Sequence, residues 1–170
     1  METVVIEGGY PGSMSASSDD SDQREPWWLP AGDTDADWLA WANSLPFCRD
    51  LSLQCEQFTR EVALFRMARP ALTPNPNGAV NGGIVVAAAD QVMGAMAMRI
   101  SDPGQLPATG SLHIQYHRPA LAPLLLRASP LGGGRRMKFI EVVVEDAHGN
   151  RCATSQGTMV AGGSSAVRLD

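Results

Sequence analysis

Residues 84–100 read Ile-Val-Val-Ala-Ala-Ala-Asp-Gln-Val-Met-Gly-Ala-Met-Ala-Met-Arg-Ile, a run rich in the strong helix formers alanine and methionine. Val85, Val86, Val92, Met93, Met96 and Met98 fall all around the circumference of such a helix, and a helix that is apolar on every side must be enclosed rather than lie on a surface. A membrane could enclose it, but the apolar stretch from Ile84 to Met98 is shorter than the roughly 20 residues a span needs. It also carries Asp90 and Gln91 near its middle. The sequence therefore predicts a helix wrapped by the rest of its own fold.

Residues 70–83 supply the entry to that helix, and their Pro, Asn and Gly content propagates neither helix nor strand. The wrapper comes from strand-like segments at residues 51–57 and 61–68, which read as a hairpin, and at 111–117, 124–129, 137–146 and 152–160. The last four are separated by Pro, Gly or His-Gly-Asn turns, with Gly132, Gly133 and Gly134 read as one hairpin turn. A meander of antiparallel strands around one buried helix is an α+β arrangement. Upstream, Asp33 or Thr34 caps a short helix that runs through Leu45 and stops at Pro46, with Trp38 and Trp41 spaced to dock it. Trp27 and Trp28 precede it.

At 170 residues the chain is expected to form one domain over residues 31–162. Residues 1–30, rich in Ser, Asp and Gly, are expected to be disordered, with Met14 an alternative start, and residues 163–170 to be a flexible tail. The 13 Lys and Arg residues are scattered and the net charge is −5, which excludes the basic face of a nucleic-acid binder. Three cysteines, Cys48, Cys55 and Cys152, give no Cys-x-x-Cys spacing and no disulfide framework. With no signal peptide either, the expectation is a cytoplasmic protein that engages neither membrane nor nucleic acid.

The segment Asn75-Pro-Asn-Gly-Ala-Val-Asn81-Gly82-Gly83, followed by Asp90, resembles the hot-dog thioesterases of the phenylacetate-degradation (PaaI-like) type. Their pattern is Asn, six residues later His-Gly-Gly, and an acidic residue nine after the His. Thr109, Tyr116-His117-Arg118-Pro119 and Gly134-Arg135 resemble further pieces of the same pattern, and the likeness spans roughly residues 45–160. Asn81 stands where the family usually has His. The resemblance implies a curved antiparallel sheet around a central helix, an acyl-CoA substrate, no metal or redox cofactor, and self-association as a homodimer or a dimer of dimers.

Thioester hydrolysis builds negative charge on the carbonyl oxygen, so the site needs fixed donors there and a base or nucleophile at the carbonyl carbon. The N–H groups of Gly82 and Gly83 lie at the positive end of the helix dipole, without a Cβ to obstruct a substrate, and Gly82 is the first candidate donor. Asp90, ionisable on an apolar helix, is the candidate base or nucleophile, and it needs a partner or a wet cavity. Thr109 is placed to orient a water or hydrogen-bond Asp90. Asn75 holds a water or the loop, and Asn81 caps the helix or positions substrate. Arg118, Arg135 and Arg136 are candidates for gripping coenzyme A phosphates.

Gly82 and Asp90 are eight residues apart, roughly 12 Å along a helix, too far for one carbonyl to touch both. A composite site, Gly82 from one subunit and Asp90 from the other, resolves this across a two-fold axis. His113 and His117 share a strand face without a third ligand, so no metal site is expected. The serine-hydrolase elbow Gly-x-Ser-x-Gly is missing, and the cysteines read as core residues. Two other readings stay open: an acyl-CoA binding protein without turnover, and a hydroxyacyl-thioester dehydratase.

Overall fold

The computed structural model of the chain describes residues 29–69 and 75–162. The expected disordered head and flexible tail fall almost wholly outside them, as do Trp27 and Trp28. Within them the elements run α1 (Asp35–Ser44), α2 (Pro46–Asp50), β1 (Leu53–Phe58), β2 (Ala63–Met67), α3 (Gly82–Ile100), β3 (Leu106–Tyr116), β4 (Leu124–Gly133), β5 (Met137–Glu145) and β6 (Arg151–Gly162). The six strands form one antiparallel sheet in the order β1-β2-β4-β5-β6-β3.

The α+β arrangement of a sheet around one helix is as expected. The inner face of the sheet presents Phe65, Met67, Leu124, Leu126, Ile140 and Val142, all fully buried, to Val85, Ala88, Ala89, Val92, Met93 and Met96 of α3. Alanines let the helix lie close to the strands. At Gly157 the approach is so tight that an added Cβ would sit 2.6 Å from the Met93 sulfur. By length and mean hydropathy alone this 19-residue helix could cross a membrane, longer than the apolar run suggests, but it packs on the sheet instead.

Four details differ from the sequence reading. Helix α3 begins at Gly82 rather than Ile84, because a cap at Asn81 outweighs the poor helix propensity of two glycines. Pro46 does end α1, yet it also opens α2 as its first residue, where its missing N–H is no loss. The last four strands are not a simple meander: β3 lies beyond β6 at the far edge, and these two longest strands pair from Leu106 opposite Gly162 to Tyr116 opposite Ala153. Strand β4 runs on through Gly132 and Gly133, whose φ angles of +142° and +131° carry it past a register slip before the turn at Gly134.

Helix α1 is capped by Thr34 in a reciprocal box with Asp37. Trp38 and Trp41 dock it, meeting edge to face at 5.3 Å between ring centroids, and Trp38 meets Phe58 at 5.9 Å. Asn43 donates to the Cys55 carbonyl and accepts from its N–H, covering part of the β1 edge. Arg99, in the last turn of α3, is buried with its guanidinium on Asp33 at 2.7 Å and Asp35 at 2.8 Å, and it lies over the Trp38 ring. This ties α1 to the far end of the central helix.

The predicted enclosure of α3 is incomplete. Val86, Ala87, Asp90, Gln91, Gly94 and Met98 form a half-buried stripe along one side of the helix, since a single curved sheet cannot close around the whole circumference.

Candidate active site

The stripe on α3 carries the one acidic side chain of that helix. Asp90 is half-buried, and its Oδ1 accepts a hydrogen bond from Thr109 Oγ1 at 2.7 Å. Among the described residues its second oxygen has no hydrogen-bond partner, which leaves it open to a water or a substrate carbon. The two residues line a cleft of about 310 Å³ whose apolar walls include Trp41, Leu45, Met98 and Met159.

A backbone irregularity aims Thr109 at the helix. Thr109 pairs with Met159, a buried residue of the inner face, whereas Ser111 pairs with Thr158 on the outer face. Residues two apart on a regular strand share a face, so the bulge at Gly110 changes the phase of the strand between them. A Cβ at Gly110 would come within 2.9 Å of Val160 Cγ2 and 3.3 Å of the Thr158 carbonyl, so glycine suits the crowded position.

At the other end of the active segment, the N-terminus of α3 is bound up almost entirely by one residue. The Asn81 side-chain oxygen accepts from the Gly83 N–H at 2.8 Å, and its carbonyl accepts from Ile84 at 3.0 Å and Val85 at 3.1 Å. Of the donors that a helix start leaves outside its own i→i−4 ladder, Gly83 and Ile84 are thus taken by Asn81, while the Gly82 N–H has no partner among the described residues. Gly83 therefore does not present the open donor expected from the sequence. Asn81 also donates through Nδ2 to Asn75 Oδ1 at 3.1 Å, and Asn75 closes its own loop by backbone bonds with Ala79 and Gly78 at 2.8 Å. Both asparagines are thus engaged in building the helix start.

Gly82 opens on a second cleft of about 410 Å³, together with Asn75, Asn77, Tyr116, Arg118 and Pro119. The Tyr116 hydroxyl donates to the Gly82 carbonyl. Sequence reasoning placed Tyr116 only within a motif. Its signal was a lone tyrosine at the end of a strand, just before His117-Arg118-Pro119.

The candidate residues therefore gather in two groups: Asp90 with Thr109 in one cleft, and Gly82, Asn75, Asn81 and Arg118 around the other. The remaining arginines join neither. Arg135 is exposed and faces Asp102 at 3.5 Å, and Arg136 is exposed in the β4–β5 turn. His117 Nε2 pairs with Thr154 Oγ1 at 3.0 Å, while His113 lies in a separate cleft on the outer face of the sheet. Burial pushes the Cys48 thiol up to about 11 and the Cys55 thiol to about 12, so both are neutral core groups and poor nucleophiles at neutral pH.

Residues 77–153 match the family described as the Thioesterase superfamily. The chain is 32% identical over 110 residues to the proofreading thioesterase EntH of Klebsiella pneumoniae, covering 62% of this chain and 80% of the relative. Its fold is similar to that of the PaaI protein of the E. coli phenylacetic acid degradation operon, with a TM-score of 0.64 and 17% identity over 73% of this chain and 94% of the other. A Streptococcus mutans protein solved with acetyl CoA gives 0.60 and 19% identity over 65% and 89%. At these identities the two structures speak for the fold, which is the expected hot-dog.

Proposed function

Because the chain belongs to the thioesterase superfamily, and is thus a thioester hydrolase, we propose that it hydrolyses an acyl-CoA to free acid and CoA at a site shared between two subunits. The observation that carries this reading is the Thr109–Asp90 hydrogen bond inside an apolar-walled cleft. Asp90 removes a proton from a water that attacks the thioester carbon, or attacks that carbon itself to give a mixed anhydride, which a water then hydrolyses to the free acid and the restored carboxylate. In both routes the C–S bond breaks and the CoA sulfur leaves as a thiol or thiolate. The Gly82 N–H, at the positive end of α3, takes the charge that develops on the carbonyl oxygen.

The separation of the two clefts supports self-association. The half-buried stripe of α3 and the eleven-residue edge strand β3 support a partner copy, since an uncovered edge invites pairing. With two helices antiparallel across a two-fold axis, Gly82 of one copy faces Asp90 of the other, giving two equivalent sites per dimer. Assembly into a dimer of dimers is compatible with this. Arg118, beside Gly82, is the arginine best placed to meet a CoA phosphate. The acetyl CoA bound by the Streptococcus mutans protein supports this ligand class. Three free, buried cysteines support a cytoplasmic location.

The test is release of free thiol from short, long and aromatic acyl-CoAs. Asp90→Asn should lower kcat by about 10²- to 10⁴-fold without dissociating the oligomer, and a fully active Asp90→Asn would sink this assignment. A second reading, an acyl-CoA binding protein without turnover, is motivated by Asn81, whose amide is engaged on both sides and cannot exchange a proton near neutral pH. Acyl-CoA binding with silence across the whole panel would select it. Dehydration of a hydroxyacyl thioester ranks below both, because no histidine stands beside Asp90 among the residues of its cleft.

A further inference from the structure

The peptide group between Gly82 and Gly83 is held at both ends. Its N–H points into the Asn81 side chain, and its carbonyl accepts the Tyr116 hydroxyl from the last residue of β3. The preceding peptide is held too, through the Asn81 carbonyl that takes Ile84 and Val85. The Gly82 N–H, which has no partner among the described residues, belongs to that preceding peptide, and the Gly82 Cα joins its plane to the one that Tyr116 holds. Resting on the hydrolytic reading given above, we infer that Tyr116 is a positioning residue for the reaction: by gripping the Gly82 carbonyl it fixes the direction in which the Gly82 N–H meets the thioester oxygen.

Tyr116 cannot take the place of that donor. A phenol has one hydrogen to give, and here it goes to the Gly82 carbonyl. Desolvation raises the phenol above its ordinary value, so the hydrogen remains in place over any ordinary assay pH. The ring also crowds Gly82: an added Cβ there would lie 3.1 Å from the hydroxyl oxygen and 3.3 Å from the ring carbon that bears it. A Cβ at this position would make the ring give by a few tenths of an ångström, so glycine leaves the grip undisturbed. Preorganised donors are effective because nothing has to turn when charge develops, and the loss of Tyr116 would let the first turn of α3 rotate.

Tyr116→Phe keeps the ring and removes only the hydroxyl. The expected outcome is a kcat lower by about 3- to 10-fold, the range of one neutral hydrogen bond, with KM for acyl-CoA unchanged and a pH profile of the same shape. A binding measurement separates positioning from a general structural role. A trifluoromethyl-ketone analogue of the substrate, whose hydrate mimics the charged oxygen, should bind more weakly to the variant, while a thioether analogue without that oxygen should bind equally to both proteins. Unchanged kcat, or equal weakening of both analogues, would overturn the inference. Silence of the wild type across the acyl-CoA panel would instead sink the hydrolytic reading and leave the two-analogue comparison standing, so the two failures are distinguishable.

Discussion

The hydroxyl of Thr109, on the edge strand β3, donates to Oδ1 of Asp90, halfway along the central helix, over 2.7 Å. This bond links the outermost strand of the sheet to the most buried helix, and it fixes one carboxylate oxygen while leaving the other open.

Removing the hydroxyl should therefore cost activity rather than fold. Thr109→Val is expected to lower kcat by about tenfold or more, the scale of a hydrogen bond to a charged group, and Thr109→Ser to keep most of the rate. Steady-state thiol release from the two variants decides the matter. If Val and Ser behave alike, the hydroxyl is not the relevant feature.

Asn81 should matter first for stability. Asn81→Ala loses the cap on Gly83 and the partner of Asn75, and about 1 kcal/mol of stability should go with the cap. Asn81→His restores the residue usual in PaaI-like relatives. A large gain in rate would mark the present site as weakened, whereas a loss would mark Asn81 as a working part. Urea denaturation alongside thiol release measures both.

Gly133→Ala should be among the most damaging single changes outside the site. Its φ is +131°, and a Cβ would come within 2.9 Å of Lys138 Cα and closer still to the Met137 carbonyl, both in the backbone of β5. Strain and overlap together are expected to destabilise by about 3 kcal/mol. Gly132→Ala, with φ of +142° but open space around it, should show the strain alone, about 1 to 2 kcal/mol. Equal denaturation midpoints for the two variants would contradict this account.

Acid should loosen the turn between β5 and β6. The Asn150 side chain, the Asn150 N–H and then the His148 N–H hold the Asp146 carboxyl below its ordinary value. A depressed folded value means that this contribution is fully present above the ordinary carboxylate range and is lost as pH falls through the folded value. Asp146→Asn should flatten the fall of Tm between neutral pH and pH 3. It should not abolish it, because Asp33, bonded by Trp38, and Asp37, bonded by Thr34, are depressed in the same sense. Parallel Tm curves for wild type and Asp146→Asn would refute the assignment.

What the sequence made legible follows from which signals are local. The central helix was visible because alanine and methionine favour it, and its start was misplaced by two residues because glycine argues against helix at positions where a cap has the last word. The first five residues of β3 were invisible: Pro107 and Gly110 look like breakers, and only the strand's place at a sheet edge tolerates them. Asp90 and Thr109 were both named from the motif. Their contact was offered as one of two roles for Thr109, and the bulge that makes it cannot be read from residue types. Tyr116 was missed as a partner of Gly82 because the two are 34 positions apart and meet only when the sheet curves over the helix.

The economy of the cap at Asn81 has an electrostatic consequence. A helix start normally spreads its positive end over four N–H groups, any of which can attract an anion. Here two of them are taken up by the side chain and carbonyl of a single residue, so the field of the 19-residue helix is presented at fewer donors, the Gly82 N–H foremost. A negative charge arriving at this surface finds a point rather than a patch. Selectivity for where an oxyanion rests is thereby written into the backbone, and loosening the cap would blur that address before it weakened the field.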